Sequence, residues 1–584
     1  MSRCHWLVLL IGMGWLLPQQ SAAADSPMPG DLRSAGTVTF PISCQPSVQP
    51  EFNRAVALLH SFFYEESRRI FTAIAERDPT CAMAQWGIAQ TWWHPIWTPP
   101  LPEEFAAGKA AAEHAAGLKA TPRERGFIEA IRIYYATPDA APAAPVGQSC
   151  HGPVGTAARV VAYEASMRAL REHYPKDVEV QVFHALAMLA VGYATPTDTT
   201  LTQQKKAGEV LERLWKENPR HPGVAHYIIH SYDYPPLARR ALAAAKAYAA
   251  IAPWVPHALH MPSHIFTRLG MWDEAAASNV ASAEASRAYA ALRGRTATES
   301  EELHALDYLI YSYLQEGRDA DARAVFDRAA GVKETFPSLE FAGAYALAAV
   351  PARYALEREA WQEAANAPVP ARVQWAKYPF AEAMFEYGHA LGRLHSGDLA
   401  GARIAIARMH ALRDATTDNK FDYFRRHLDA QTQAADAWLA HAEGRDAQAL
   451  ALLTAGADAE DALGKHPVSP GALMPLREQL GALLLELKRP REALAAYEAA
   501  LKIYSARFRS LYGAGLSAER VGDAPRANGY FAQLVKQTAS ADGARPELAH
   551  ARDYLRTQAS AAVPGFERAR DRSSSLFAAQ VWSP

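Results

Sequence analysis

"LERLWKENP" (211–219) stops at Pro219 and "AKAYAAIAP" (245–253) stops at Pro253, so the same helix-then-proline ending recurs after 34 residues. Apolar residues at helical spacing make each stretch an amphipathic helix. Proline ends it, because its ring clashes with the preceding turn and it has no N–H to donate. The interval returns near the C-terminus, where Ala493 and Ala527, like Gly481 and Gly515, are again 34 apart. Between these lie "GMWDEAAASN" (270–279), "EGRDADARAVFDRAA" (316–330), "SGDLAGARIAIARM" (396–409) and "EGRDAQALALL" (443–453). They share a glycine turn and a small Ala five residues on, followed in three of the four by an apolar residue four further. Glycine lets one helix exit tightly, Ala lets the next pack closely on it, and the larger residue fills the next layer.

A 34-residue unit of two amphipathic helices is the pattern of tetratricopeptide repeats. The N-terminal part fits it more loosely, in "SRRIFTAIAERDPTCAMAQWGIAQ" (67–90) and "VAYEASMRALREHYPKDVEVQVFHALAML" (161–189). The chain resembles the tetratricopeptide-repeat family over most of its length. It also resembles a group of exported bacterial repeat proteins that carry "HYIIHSYDYP" (226–235), "HALHMPSHIFTRLG" (257–270) and "HALDYLIYSYLQ" (304–315) in succession. The resemblance implies an all-α fold, an α-solenoid of stacked antiparallel helix pairs. It implies no particular activity. About twelve pairs are expected over 46–538. A groove-bearing array over 46–335 and a second array over 336–558 follow, flanked by an extension at 25–45 and a tail at 559–584. Pro-rich breaks at 136–153 and 365–379 interrupt the period.

Lys and Arg number 60 against 62 Asp and Glu, a balance with no electrostatic footprint for nucleic acid or an anionic membrane. Arg3, the apolar run "WLVLLIGMGWLL" (6–17) and "SAAAD" (21–25) read as a signal peptide cut after Ala24. A periplasmic or secreted chain with no membrane span is expected after cleavage. Export permits disulfides, and Cys44 and Cys81 flank the first helical runs, so a Cys44–Cys81 bridge is expected. Cys150, beside His151 in a Pro/Gly-rich loop, is left over.

In such arrays the first helix of each pair lines a concave groove. The repeat register places His226, His230 and Asp233 in one groove helix, His257, His260 and His264 in the next, and His304, Asp307 and Tyr311 in the one after. His60 and His94 could contribute from further off. Side chains four apart share a helix face, so His226/His230 and His260/His264 form two pairs on neighbouring helices. Neutral imidazole is a ligand for zinc, copper, nickel or iron. The candidate metal ligands are therefore His226, His230, His260 and His264, gathered about one point with Asp233, His304 and Asp307 at the rim. Two other readings use the same residues: hydrogen-bonded packing, and direct recognition of a peptide or anion. Pro262 breaks a helix hydrogen bond and could turn His257 and His260 off the shared face. The tryptophans Trp86, Trp92, Trp93 and Trp97 read as core and turn staples.

The sequence shows no P-loop, nucleophile elbow, paired-cysteine motif or haem attachment site. With no general base or nucleophile to name, the first expectation is a binding scaffold holding a protein, peptide or small ligand in a His-rich groove. The alternative is a metal-dependent hydrolase or oxidoreductase that uses the histidines as ligands.

Overall fold

Gly270, Gly317, Gly397 and Gly444, the glycines of the repeated turn, all take left-handed backbone with φ of +68, +70, +83 and +77°. Only glycine adopts that conformation without strain. Each one separates the two helices of a pair. Gly317 joins Ser300–Glu316 to Asp319–Ala330, Gly397 joins Pro379–His395 to Leu399–Ala415, and Gly444 joins Asp422–Ala442 to Asp446–Leu463.

This computed structural model describes residues 34–561, apart from 97–98, 139–156, 195–197, 339, 372 and 419–420. The signal segment, the Cys150–His151 loop, Trp97 and tail residues 562–584 lie outside the described residues. Within them each helix packs on the next in sequence order, from Gln49–His60 to Pro546–Ala561, giving an all-α solenoid of antiparallel pairs. The one β element among the described residues is a two-residue parallel bridge, Thr298–Glu299 with Thr335–Phe336. Among the described residues no helix is long and apolar enough to cross a membrane.

Close packing within pairs relies on a second set of glycines. A Cβ on Gly481 would lie 2.7 Å from the ring of Tyr497, and one on Gly515 would lie 2.6 Å from the ring of Phe531. In both cases the ring comes from the partner helix.

The superhelix is wound tightly enough for distant repeats to meet. Thr37 N–H donates to the Arg220 carbonyl at 2.9 Å, and the Trp254 indole donates to the Ser34 carbonyl at 2.7 Å. Further along, Trp272 donates to the Ala506 carbonyl at 3.1 Å and Gln315 accepts from the Phe508 N–H at 2.9 Å. Cys44 and Cys81 form a disulfide, with Cα atoms 4.9 Å apart. Phe40, from the extended N-terminal strap, enters an aromatic core with Phe52, Trp86 and Phe127. Trp93 stacks on Tyr134, and Arg68 lies over Trp92.

Buried apolar side chains fall into two clusters, Ala35–Ala275 and Ala276–Ala551, which meet within the helix Trp272–Leu292. The histidine layer lies at this seam. An irregular stretch, 464–475, fills the concave side there. It is held by Tyr308, whose hydroxyl donates to the Pro467 and Ser469 carbonyls, and by Arg353, which donates to the Gly471 and Ala472 carbonyls. The open groove expected from the repeat register is thus closed at the histidines.

Gly515→Ala should lower stability by about 1–3 kcal/mol, because the added methyl overpacks against Phe531. Gly529→Ala, on the same helix pair with open space around its Cα, should be neutral or stabilising by up to ~1 kcal/mol. Denaturant unfolding of both variants measures the contrast.

Candidate metal centre

All nine residues assigned to the groove from sequence are buried: His226, His230, Asp233, His257, His260, His264, His304, Asp307 and Tyr311. They do not form one site with a rim. The histidines divide into two triads, His226/His230/His257 and His260/His264/His304, and in each triad one ligand atom per residue lies within 4.8 Å of the others. This corrects the expectation of four histidines around one point. The cause is the short helix Pro256–His260, which runs through Met261 in helical backbone (φ −54°, ψ −35°) into Pro262–Leu269. His257 and His260, three residues apart, diverge along it so that their ring centroids lie 6.4 Å apart. His257 joins the earlier pair, and His260 stays with His264. His304, expected at the rim, completes the second triad.

The first triad is built on the helix Pro222–Tyr232. His226 Nδ1 lies 2.7 Å from the backbone carbonyl of His60, so it must donate its proton there. Its bare Nε2 then faces His230 Nε2 at 3.0 Å and His257 Nε2 at 3.2 Å. The ring of Phe62 packs on all three imidazoles, with centroids 4.5, 5.8 and 5.6 Å from His226, His230 and His257. Phe62 has φ +54°, strained for a bulky residue.

The second triad is defined more fully by its partners. His264 Nδ1 donates to the Asp233 carboxylate at 2.9 Å. His260 Nδ1 faces Asn279 Oδ1 at 2.7 Å, and the Asn279 amide nitrogen donates to the Ala275 carbonyl, which fixes its orientation. His260 Nδ1 must therefore also be a donor. Each neutral imidazole has a single N–H, and both are now committed. Yet the two Nε2 atoms lie 3.0 Å apart. Two lone pairs at that distance repel unless a cation sits between them, either a proton or a metal ion.

Burial disfavours the proton. It holds His264 down to about 4 despite the opposing pull of Asp233, and it holds His260 well below the ordinary imidazole value, aided by neighbouring imidazoles. His226 and His304 are lowered well below that value for the same reasons. Asp233 remains ionised. Burial would raise its carboxyl, but Lys465 at 3.6 Å, Arg268 at 2.8 Å and His264 hold it well below the usual carboxylate range.

The other predicted residues do different work. His60 and His221 both donate from Nε2 to Glu179, each at 2.9 Å. His60 Nδ1 accepts from the Tyr227 hydroxyl and His221 Nδ1 accepts from the Val224 N–H, so every ring nitrogen and both carboxylate oxygens in that cluster have a partner. Although these three residues also converge, they are a satisfied hydrogen-bond network. His94 packs on Tyr64, which stacks on Phe62, and belongs to neither triad. Asp307 pairs with Arg353 at 2.6 Å, and Tyr311 accepts from Arg507 at 3.2 Å; neither touches the triads through these bonds. Sequence reading missed Asn279, Arg268, Lys465, Phe62 and Tyr308. Asn279 had a signal, since it occupies the place where the repeat pattern calls for an apolar residue.

No protein-family model matches the sequence, and no curated protein matches it. Among solved structures, a chain of Naa15/Naa10 bound to HypK-THB is 11% identical, with 89% of this chain and 93% of that one covered and a TM-score of 0.22. A chain of the APC/C hetero-tetramer Cut9–Hcn1 is 9% identical over 87% and 83%, with a TM-score of 0.30. These likenesses carry nothing to the site. The helix pairing described above defines the class, an all-α solenoid of tetratricopeptide-like helix pairs.

Nine imidazoles among the described residues, six buried and three (His94, His395 and His427) half-buried, are held below their ordinary value: His60, His94, His226, His260, His264, His304, His395, His427 and His466. For each, the unfolded chain takes up a proton at higher pH than the folded one. The stability from burying them neutral is complete above the unfolded value of 6.5 and is lost as pH falls towards about 4. Glu316 and Glu460, both lifted to about 8 by burial first of all, work in the opposite direction but are outnumbered. The thermal midpoint of metal-free protein should therefore drop by several degrees between pH 7.5 and pH 5. A midpoint unchanged over that interval would contradict the burial of neutral imidazoles.

Proposed function

We propose that this chain is an exported helical-repeat protein whose function rests on transition-metal binding in the buried histidine layer. The carrying observation is the pair His260 and His264: both Nδ1 protons are committed to acceptors, yet the Nε2 lone pairs face each other at 3.0 Å. A metal–nitrogen distance near 2.0 Å in tetrahedral geometry puts ligand nitrogens about 3.3 Å apart. The contacts of 3.0 and 3.2 Å fall close to that spacing. Acceptors on the far ring nitrogen, here a carboxylate, an amide and a carbonyl, are the usual means of orienting metal-binding histidines.

Burial separates this reading from peptide recognition. A peptide in the groove could not reach imidazoles covered by the 464–475 stretch and by Phe62. The repeat array serves as the scaffold that brings the triads together, and any protein partner would use surfaces other than these histidines. Export is supported by the Cys44–Cys81 disulfide, which an oxidising compartment favours.

Protein purified from its host should carry stoichiometric transition metal, measured by elemental analysis. His264→Ala should lose most of it, and His221→Gln, in the satisfied cluster, should retain it. Metal at about a thousand times its Kd should add ~4 kcal/mol of stability, removable with a chelator. Absence of metal in the native protein, with none taken up by the metal-free chain, would sink the reading. Intact-mass measurement of the exported protein should give a chain beginning at Asp25.

A further inference from the structure

The second triad repeats the first at the interval that defines the fold: His226 and His230 are each followed 34 residues later by His260 and His264. In each pair the two histidines are four residues apart, His226 and His230 on one helix and His260 and His264 across the junction of Pro256–His260 with Pro262–Leu269, and the third histidine comes from the next groove helix. The helix Pro256–His260 contributes to both sites, and the His257 and His260 ring centroids are 6.4 Å apart across the boundary. Three nitrogen donors converge on each side of that boundary.

We propose that the two triads form one dinuclear centre that binds a pair of copper ions, entering as Cu(I). This rests on the metal-binding reading above and adds the number and identity of the ions. None of the six ligands carries a negative charge. The nearest carboxylate in the second triad, Asp233, is engaged by His264, Arg268 and Lys465. Glu301 lies 3.5 Å from His257 Nδ1, the ring nitrogen opposite the one that faces His226. Two cations on either side of a boundary where the His257 and His260 rings lie 6.4 Å apart repel in proportion to the product of their charges, so monocations repel about a quarter as strongly as dications. Among ions that favour imidazole, copper alone commonly occurs as a monocation.

Coordination number points the same way. The Phe62 ring lies against all three imidazoles of the first triad, and the Tyr308 ring lies 4.8, 5.0 and 5.3 Å from His260, His264 and His304. The Tyr308 hydroxyl is turned to the Pro467 and Ser469 carbonyls. Each triad thus has a donor-free aromatic wall, which suits three-coordinate Cu(I) better than zinc, whose sites are almost always four-coordinate. Oxidised to Cu(II), the pair would need a small anion between the ions to offset their charge.

The test loads metal-free, full-length protein anaerobically with Cu(I), challenges it with a roughly tenfold excess of zinc, and counts bound metal. About two coppers per chain are expected in the wild type, and about one in each of His257→Ala and His304→Ala, which cut one triad apiece. The loaded protein is then oxidised with ferricyanide, each copper giving up one electron, in the presence of azide as bridging anion. Coupling through the bridge should leave the wild-type electron paramagnetic resonance signal far below about two spins per chain, while each variant should give about one. A single copper in the wild type, two coppers with full uncoupled intensity, or displacement by zinc overturns the dinuclear copper centre and leaves metal binding standing. Uptake of no metal of any kind overturns both. If a variant fails to fold, the wild-type count and spin intensity still decide.

Discussion

Six imidazoles can be buried at a seam between two apolar clusters only if their protons have somewhere to go, and this requirement organises the centre of the molecule. A buried N–H without an acceptor costs about 1–3 kcal/mol. For His226, His260 and His264 the fold meets the requirement with groups from several parts of the chain. The His60 carbonyl comes from the first helix, Asn279 from the helix following the second pair, and Asp233 from the end of Pro222–Tyr232. Asp233 needs Arg268 beside it and Lys465 from the 464–475 stretch. That stretch in turn depends on Tyr308 and Arg353 to bind its carbonyls. Satisfying a few ring protons therefore recruits side chains from most of the solenoid.

The contrast between the triads and the His60–Glu179–His221 cluster shows why proximity alone is a poor guide to a metal site. All three groups bring ligand atoms within 4.8 Å. In the Glu179 cluster an anion accepts both Nε2 protons, and the opposing pull of His221 and His60 holds its carboxyl down to about 2 although burial would raise it. In the second triad the acceptors stand on the outer side, at Nδ1, and the inward-facing nitrogens of His260 and His264 are left with lone pairs. What differs is the side of each ring on which the acceptor lies.

Much of the fold was legible in the sequence because a repeat states its packing rule several times. Gly317, Gly397 and Gly444 occupy the same turn, and the prolines mark helix ends at a fixed interval. The histidine register was legible for the same reason, since groove positions recur with the period. Two things were not. The division into two triads depends on the fan between His257 and His260 along a helix interrupted by Pro262, an angle that periodicity does not encode. The closing of the groove depends on contacts such as Lys465 with Asp233, 232 residues apart in sequence, and a pattern of neighbouring repeats is silent on those. Asn279 stood in plain view as a polar residue at an apolar place in the repeat, but its meaning appears only once His260 is seen beside it.

Helical-repeat arrays are quasi-one-dimensional: each unit touches its neighbours, and unfolding can begin at an end and travel inward. The coil described here departs from that rule. The first helix braces the Pro222–Tyr232 helix through His60 and His226, and the 464–475 stretch braces the middle of the chain from the C-terminal side. The histidine layer therefore cannot close until the 464–475 stretch has turned back onto it. Until then Asp233 lacks Lys465, and Tyr308 lacks the carbonyls it holds. A chain interrupted before that point would contain all six histidines without the 464–475 stretch that covers them.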